Sequence, residues 1–181
     1  KRPNISVESI YIHNPEKLLT KNGKDLFSIL KQIKKRKLIK NIGISVYDTI
    51  ITKKIIKLYN IDVIQLPYNI FDRRFEKIMK ILKKKKIKIY ARSVFLQGSL
   101  LSKRKTKLTS KKEFKELNIF STKNKIDKLS LCLNFVNFNN FIDKVIIGAD
   151  SANDLISILN YKKMKKVNLN NLATNKKIII D

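Results

Sequence analysis

Short runs of β-branched and aromatic residues alternate along the chain with longer amphipathic segments. The runs predict five β-strands, mostly at intervals of about 20–30 residues. They are nearly all apolar, as expected of parallel strands that are covered on both faces. The predicted strands are residues 5–12, 41–45, 62–66, 87–93 and 144–147.

Between the strands, apolar residues recur at three- and four-residue spacing, which predicts helices with one buried face. Asp48 or Thr49, and further along Ser151, are suited to cap two of these helices through side-chain oxygens. Residues 102–112 are polar and basic and predict a mobile connector. The predicted helices are residues 23–37, 73–86 and 152–160, one or two helices over residues 123–142, and another beginning at Asp48 or Thr49. The buried face of that helix is predicted to hold Ile51, Ile55, Leu58 and Tyr59.

This alternation of strand and helix is typical of parallel βα units. Two architectures fit it: an open doubly wound sheet, or part of an eight-stranded barrel. No glycine-rich phosphate fingerprint follows a predicted strand, which counts against a dinucleotide-binding open sheet.

The chain is organised around residues 61–74, IDVIQLPYNIFDRR. Gln65 is a neutral amide near the end of an apolar run, and buried strands seldom carry one without a hydrogen-bonding role. Polar or small residues end the other predicted strands as well, namely His13, Ser45, Arg92 with Ser93, and Gly148 to Asp150. Because the carboxyl ends of parallel strands share one edge, we expect a site where these side chains gather around one mouth of the sheet.

The formal net charge of +27 would ordinarily indicate nucleic acid or an anionic membrane as partner. Lys, Asn and Ile are abundant together, however, while Gly, Pro and Trp are scarce or absent. Codon usage in an A+T-rich genome gives this bias without selection for binding, and the lysines fall on solvated helix faces. We therefore interpret the charge as background rather than as a nucleic-acid surface.

Cys132 is the single cysteine and lies in an apolar run, so it predicts a buried hydrophobe rather than a disulfide or a metal ligand. No uninterrupted apolar run is long enough to span a bilayer, and there is no signal peptide. A cytoplasmic location is expected. The first residue is Lys1 rather than Met, which suggests a chain cut out of a longer one.

Five motifs in order, YIHNP, NIGISVYD, VIQLPYNIFDRR, YARSVFLQGSLL and VIIGADSANDL, resemble the aldo/keto reductases from about residue 5 to about residue 161. That family has a (β/α)8 barrel and moves a hydride between a nicotinamide cofactor and a carbonyl or alcohol. The resemblance implies an α/β fold, a partial TIM barrel of about five parallel βα units from barrel strand four to strand eight. Residues 1–161 would form this part of the barrel, and residues 162–181 a basic tail.

The resemblance also implies one catalytic residue. His13 matches the family histidine that orients and polarises the substrate carbonyl, although a structural histidine at a strand end is the alternative. The family's catalytic aspartate, general-acid tyrosine and lysine lie on the three strands that the resemblance leaves out.

Ser45 and Gln65 match residues that hydrogen-bond the nicotinamide carboxamide, for which a hydroxyl and an amide supply donor and acceptor. Val46 stands where the family commonly has Asn, which puts one contact in doubt. Ser45 alone could instead cap the next turn.

The resemblance implies further cofactor-binding residues, which would contact the nicotinamide ring and the phosphates of NADP or NAD. Asp150 and Asp154 stand where NADP-specific members usually carry basic residues, so the choice between the two cofactors is open. Arg92 could stack on the nicotinamide or lie at the rim as a solvated charge. The implied cofactor-binding residues are Arg92, Ser93, Gly98, Ser99, Gly148, Ala149, Asp150 and Ser151.

The expected function is therefore that of an aldo/keto reductase fragment that is inactive alone. Its partners would be a small carbonyl or alcohol substrate and the missing N-terminal half of the same barrel. Five strands would leave two unpaired edges and an apolar interior open to water. The alternatives are a regulatory relative that binds cofactor without catalysis and a basic nucleic-acid-binding protein.

Overall fold

Strands and helices follow one another in the predicted order. The computed structural model describes residues 7–102, 104, 106–176 and 179. Ile5 and Ser6 of the first predicted strand lie outside the described residues. The described strands are β1 (Val7–Ile12), β2 (Ile39–Ser45), β3 (Val63–Pro67), β4 (Lys88–Arg92) and β5 (Lys144–Val145). They form one open parallel sheet in the order β1-β2-β3-β4-β5, which confirms the predicted α/β class and its five βα units.

Helices connect the strands, and two of them begin at predicted caps. The described helices are α1 (Gly23–Lys35), α2 (Thr49–Leu58), α3 (Glu76–Lys84), α4 (Lys112–Lys123), α5 (Lys128–Asn137) and α6 (Ala152–Leu159), with 3-10 turns at Pro15–Leu19 and Asn170–Leu172. The Asp48 carboxylate accepts from the Ile50 and Ile51 N–H groups at 2.7 and 2.8 Å and caps α2. Ser151 Oγ accepts from the Asp154 N–H at 3.1 Å and caps α6.

The described chain divides into two compact units. We call unit one the described residues up to Leu66 together with Lys77–Tyr90, and unit two Pro67–Glu76 together with the described residues from Ala91 onward. Each unit is described by itself below.

Unit one has an apolar and a polar face on strands β1–β3. In the parallel register, Ile12 pairs with Ile44 and Ile44 with Ile64. Ile44 and Ile64 are wholly buried. Because side chains alternate along a strand, the intervening positions share the other face. Those positions are Ser9, Tyr11, Asn41, Gly43, Ser45, Val63 and Gln65.

The expected apolar interior is therefore wrong for this part of the sheet, whose second face is mostly polar or small. The expectation that every strand is covered on both faces is also wrong, because β1 is exposed or half-buried along its whole length. The apolar core of unit one is formed instead by one face of the sheet and the helices that pack beside it. There the rings of Phe27 and Tyr59 lie 4.7 Å apart.

In unit two, the turn after β3 is held by Asn69, which is 1% exposed. Its Oδ1 accepts from the Phe71 and Asp72 N–H groups at 3.0 and 2.9 Å. Its Nδ2 donates to the Ser93 carbonyl oxygen at 3.0 Å. One buried amide thus fixes the turn and ties it to the loop after β4.

Arg73 connects the same turn to the segment after residue 161. Its guanidinium donates to the Leu169 carbonyl at 2.5 Å and to Asn170 Oδ1 at 3.1 Å, and Nε donates to the Ile70 carbonyl at 3.1 Å. It also lies 4.6 Å from the centre of the Phe135 ring, a cation–π distance. The described part of residues 162–176 is thus packed within unit two, while the predicted domain boundary at residue 161 stays a prediction.

Several predicted elements need correction. Helix α4 (Lys112–Lys123) lies where no helix was predicted. Within the predicted helical region 123–142, the structure has the shorter helix α5 (Lys128–Asn137). A 3-10 turn that no pattern predicted begins at Pro15. Leu58 is 67% exposed, because α2 buries Thr52, Ile55 and Ile56 instead. Helix α3 buries Ile78, Met79 and Leu82, each at most 1% exposed.

An ion pair between Glu113 on α4 and Lys176 makes the stability of unit two depend on pH. Lys176 Nζ lies 2.7 Å from Glu113 Oε1. This hydrogen bond holds the pKa of Glu113 below its usual range. A carboxyl whose pKa is lower in the folded chain stabilises the fold above its unfolded pKa of about 4.3, and this is lost as pH falls through the folded value.

We expect Lys176→Met to lower the free energy of unfolding by about 0.5–1 kcal/mol at pH 7, since Lys176 is 60% exposed and the pair is partly screened. The loss should shrink toward zero in acid, below the folded pKa of Glu113. Urea unfolding at both pH values measures it. Lys112→Met, which breaks an exposed 3.6 Å pair with Glu116, is the control and should change little. An equal loss at acid and neutral pH would contradict this account.

Candidate active site

In unit one, three predicted site residues lie at the carboxyl ends of neighbouring strands. Ser45, the last residue of β2, is in register with Gln65 of β3. His13 follows Ile12, whose partner in β2 is Ile44, the residue before Ser45. The parallel register therefore brings His13, Ser45 and Gln65 to one rim.

The imidazole of His13 is exposed, and it makes no hydrogen bond or ion pair with the other residues that the structure describes. A structural histidine would ordinarily have its ring nitrogens satisfied by the protein. This one remains accessible to a ligand as donor or acceptor.

Ser45 is 4% exposed and Gln65 is half-buried. The N-cap of α2 is Asp48 and not Ser45. The Val46 N–H donates to the Gln65 carbonyl at 2.9 Å, so the backbone fixes the spacing of these two strand ends. Val46 itself is 1% exposed and belongs to the core.

In unit two, the predicted pair Arg92 and Ser93 interact directly, with Arg92 Nη1 donating to Ser93 Oγ at 3.1 Å. Ser93 has φ of 55°, a left-handed conformation. Its carbonyl accepts from the Leu96 N–H at 2.9 Å, in addition to Asn69. Arg92 is therefore engaged at the strand end and is half-buried rather than a fully solvated rim charge.

The loop that follows has three successive residues at positive φ, Leu96 at 48°, Gln97 at 52° and Gly98 at 79°. Only glycine adopts this conformation at no steric cost. A Cβ built at Gly98 would meet no atom within 4 Å, and the same holds at Gly148. Both backbones therefore border open space that a ligand could approach closely.

An open groove of about 750 Å³ in unit two brings together the loops after β4 and β5. Five predicted cofactor-binding residues line it, namely Ser93, Gly98, Gly148, Ala149 and Asp150. The other predicted residues of this unit, Arg92, Ser99 and Ser151, do not line it. Ser151 is instead engaged as the cap of α6, with its Oγ also 2.7 Å from Asp154 Oδ2.

The described lining of this groove is opposite in charge to the chain as a whole. Its described lining holds three carboxylates, Asp127, Asp150 and Asp154, and one ammonium, Lys128. Lys128 Nζ donates to the Ser102 carbonyl at 3.2 Å. In a chain of net charge +27, this lining is locally acidic.

Other chemistries find no support in the described residues. No cluster of His, Cys, Asp and Glu among them could hold a metal ion. Cys132 is buried as predicted, and burial raises the pKa of its thiol to about 12, which makes it a poor nucleophile. None of the helices found in the described ranges is both long and apolar enough to cross a membrane.

Sequence reasoning missed two residues, one in each unit. Tyr11 lies two positions before His13, so strand alternation places it on the polar face with Ser45 and Gln65. In unit two, Asn69 holds the turn after β3. Its role depends on a contact with Ser93, which no local pattern reveals.

The sequence was compared with models of known protein families. The sequence model of the Aldo/keto reductase family matches residues 6–178, past the end of the five motifs. A comparison with curated protein sequences gives no match.

Solved structures share the fold. An aldo-keto reductase from Bacillus halodurans, in holo and apo forms, is 18% identical with a TM-score of 0.77 and covers 93% of this chain. The glycerol dehydrogenase from Gluconobacter oxydans is 15% identical (TM-score 0.65, 90% covered), and a thermostable aldo-keto reductase in complex with the inhibitor epalrestat is 21% identical (TM-score 0.69, 92% covered). The chain spans 62%, 55% and 60% of the lengths of these three proteins, respectively. An open five-stranded parallel sheet of this kind is that of a partial barrel.

Proposed function

The chain belongs to the aldo/keto reductase family, and we propose that it forms the part of an NAD(P)-dependent oxidoreductase that binds the nicotinamide cofactor and orients a small carbonyl or alcohol substrate. The observation that carries this proposal is the register of Ser45 with Gln65 at the carboxyl ends of adjacent strands. A hydroxyl and a side-chain amide held by rigid strands match the donor and acceptor of a carboxamide.

When bound, a nicotinamide cofactor supplies or accepts the hydride. The residues of this chain then have separate tasks. Ser45 and Gln65 hold the carboxamide and so fix which face of the ring meets the substrate. His13 donates a hydrogen bond to the substrate oxygen, which orients the carbonyl and stabilises the charge that develops there.

In unit two, the acidic groove is proposed to receive the phosphates and ribose of the cofactor. The open space at Gly98 and Gly148 allows close backbone approach. Backbone N–H groups of the loop after β4 and the first turn of α6 are suited to anionic oxygens, while the carboxylates of Asp150 and Asp154 are suited to ribose hydroxyls.

The proton donor is proposed to come from outside this sequence. By the family resemblance, the tyrosine, lysine and aspartate of the reaction lie on three barrel strands that have no counterpart here. A polypeptide carrying those strands, the N-terminal half of the same barrel, is the proposed partner, and the proposed location is the cytoplasm.

The first prediction concerns the carboxamide contact. Gln65→Leu should weaken NAD binding to the 181-residue chain by about 3- to 10-fold, because one amide hydrogen bond is lost. Isothermal titration calorimetry measures this. Gln32→Leu, on the exposed side of α1, is the matched control and should bind as the unmodified chain does. Equal affinity of the Gln65 variant and the unmodified chain would contradict the assignment.

The second prediction concerns cofactor choice. NADP adds a phosphate monoester, and in a groove with three carboxylates and one ammonium among its described lining residues this charge is unfavourable. We expect the Kd for NADP to be at least about 3-fold higher than the Kd for NAD at low salt, and this ratio of dissociation constants should fall as salt screens the groove. Asp150→Asn should reduce the ratio of the two dissociation constants, and Asp25→Asn on α1 should not. Tighter binding of NADP would overturn this preference.

The third prediction is that the purified chain does not reduce aldehydes. A cofactor-oxidation assay with an aldehyde panel measures turnover. Activity comparable to that of an intact reductase would show that the proton donor lies within these residues. Cofactor binding without turnover by a longer protein that contains the catalytic strands would favour a non-catalytic relative.

A further inference from the structure

A second concave site in unit two lies between the end of α5 and residues 166–170, and we call it the α5 cavity. Its volume is about 690 Å³, which is in the range of small-molecule sites. It shares no described lining residue with the groove after β4 and β5. None of the residues assigned above to cofactor or substrate lines it, so it has no part in the proposed function.

One wall of the α5 cavity is aromatic. Phe135, Phe138 and Phe141 line it, and Phe141 is 38% exposed. The Phe135 ring stacks on that of Tyr68, with centres 5.2 Å apart and an angle of 25°. The Phe141 N–H donates to Asn139 Oδ1 at 3.0 Å. These contacts hold the wall in place, and a planar apolar ligand would remove its exposed rings from water.

The wall formed by residues 166–170 offers hydrogen-bond donors. Asn168 Oδ1 accepts from the Asn170 N–H at 3.0 Å, and Asn170 Oδ1 accepts from Arg73 Nη1 at 3.1 Å. Each amide oxygen thus already has a donor, whereas both NH2 groups lack an acceptor among the residues that the structure describes. The ammonium of Lys166, on the same wall, also has no partner among them.

The charge of the α5 cavity matches a ligand with one negative charge. Its described lining holds two cations, Arg73 and Lys166, and one carboxylate, Glu76. Glu76 Oε1 already accepts from the Tyr68 hydroxyl at 2.8 Å. The C-terminal end of α5 disfavours an anion through its dipole, so a negative group is better placed at the opposite wall.

We propose that the α5 cavity binds an aromatic carboxylate. The ring of the ligand lies against Phe138 and Phe141. Its carboxylate, which can only accept hydrogen bonds, meets the NH2 groups of Asn168 and Asn170 and the ammonium of Lys166.

The test compares two probes that carry the same ring and opposite charges, naphthalene-2-carboxylate and the naphthalen-2-ylmethylammonium cation. Isothermal titration calorimetry on the 181-residue chain measures both. Charge-assisted hydrogen bonds form only with the carboxylate, so we expect its Kd to be at least about 10-fold lower than that of the cation.

Lys166→Met tests the donor wall, and Lys165→Met is its matched control. Both lysines are exposed, but only Lys166 lines the cavity. We expect Lys166→Met to raise the Kd for the carboxylate about 3- to 10-fold, and Lys165→Met to leave it unchanged. Equal effects of the two variants would show only a general attraction of anions to a chain of net charge +27 and would overturn the site.

A second measurement locates the probe. Addition of naphthalene-2-carboxylate should shift the side-chain NH2 signals of Asn168 and Asn170 in a 15N–1H NMR spectrum. The NH2 signal of Asn60, an exposed amide in unit one, should not move. Equal affinity for the two probes, or binding that leaves the Asn168 and Asn170 signals in place, would contradict the proposal.

Discussion

The two-residue alternation of three parallel strands is the constraint on which unit one depends. With Ile44 in register with Ile64, every second side chain enters the apolar core, and the positions between must face the other way. Ser45 and Gln65 are among those positions. The same register that buries the core therefore also places a hydroxyl and an amide side by side at the rim. A shift of one residue would exchange the two faces and lose both.

Unit two is ordered around a different interaction, the buried amide of Asn69. It closes the turn after β3 and holds the Ser93 carbonyl, so the loop that borders the groove begins from a fixed point. Arg73, four residues after Asn69, donates a hydrogen bond to the Leu169 carbonyl and so connects the segment around Leu169 to the same turn. Loops carry ligand-binding residues best when rigid elements hold their ends, and this turn provides such an anchor.

The sequence predicted what local chemistry determines and missed what distant contacts determine. Asp48 and Ser151 were recognisable because a cap acts on the next few residues. Helix α4 was missed because its apolar signal is short, Phe114 and Leu117 among charged neighbours. Leu58 was misplaced because periodicity gives the spacing of a buried face but not which side of the helix meets the sheet. The hydrogen bond from Arg73 to the Leu169 carbonyl connects residues that are 96 positions apart in the sequence, which no local pattern can predict.

We propose that the strand ends of this chain hold a nicotinamide dinucleotide. Backbone 15N–1H NMR shifts recorded during addition of NAD test it most directly, since each residue reports its own environment. The account predicts changes concentrated at Ser45, Gln65, Gly98 and Gly148. Saturable binding that shifts only residues at the amino ends of the strands, or a spectrum that NAD leaves unaltered, would contradict it.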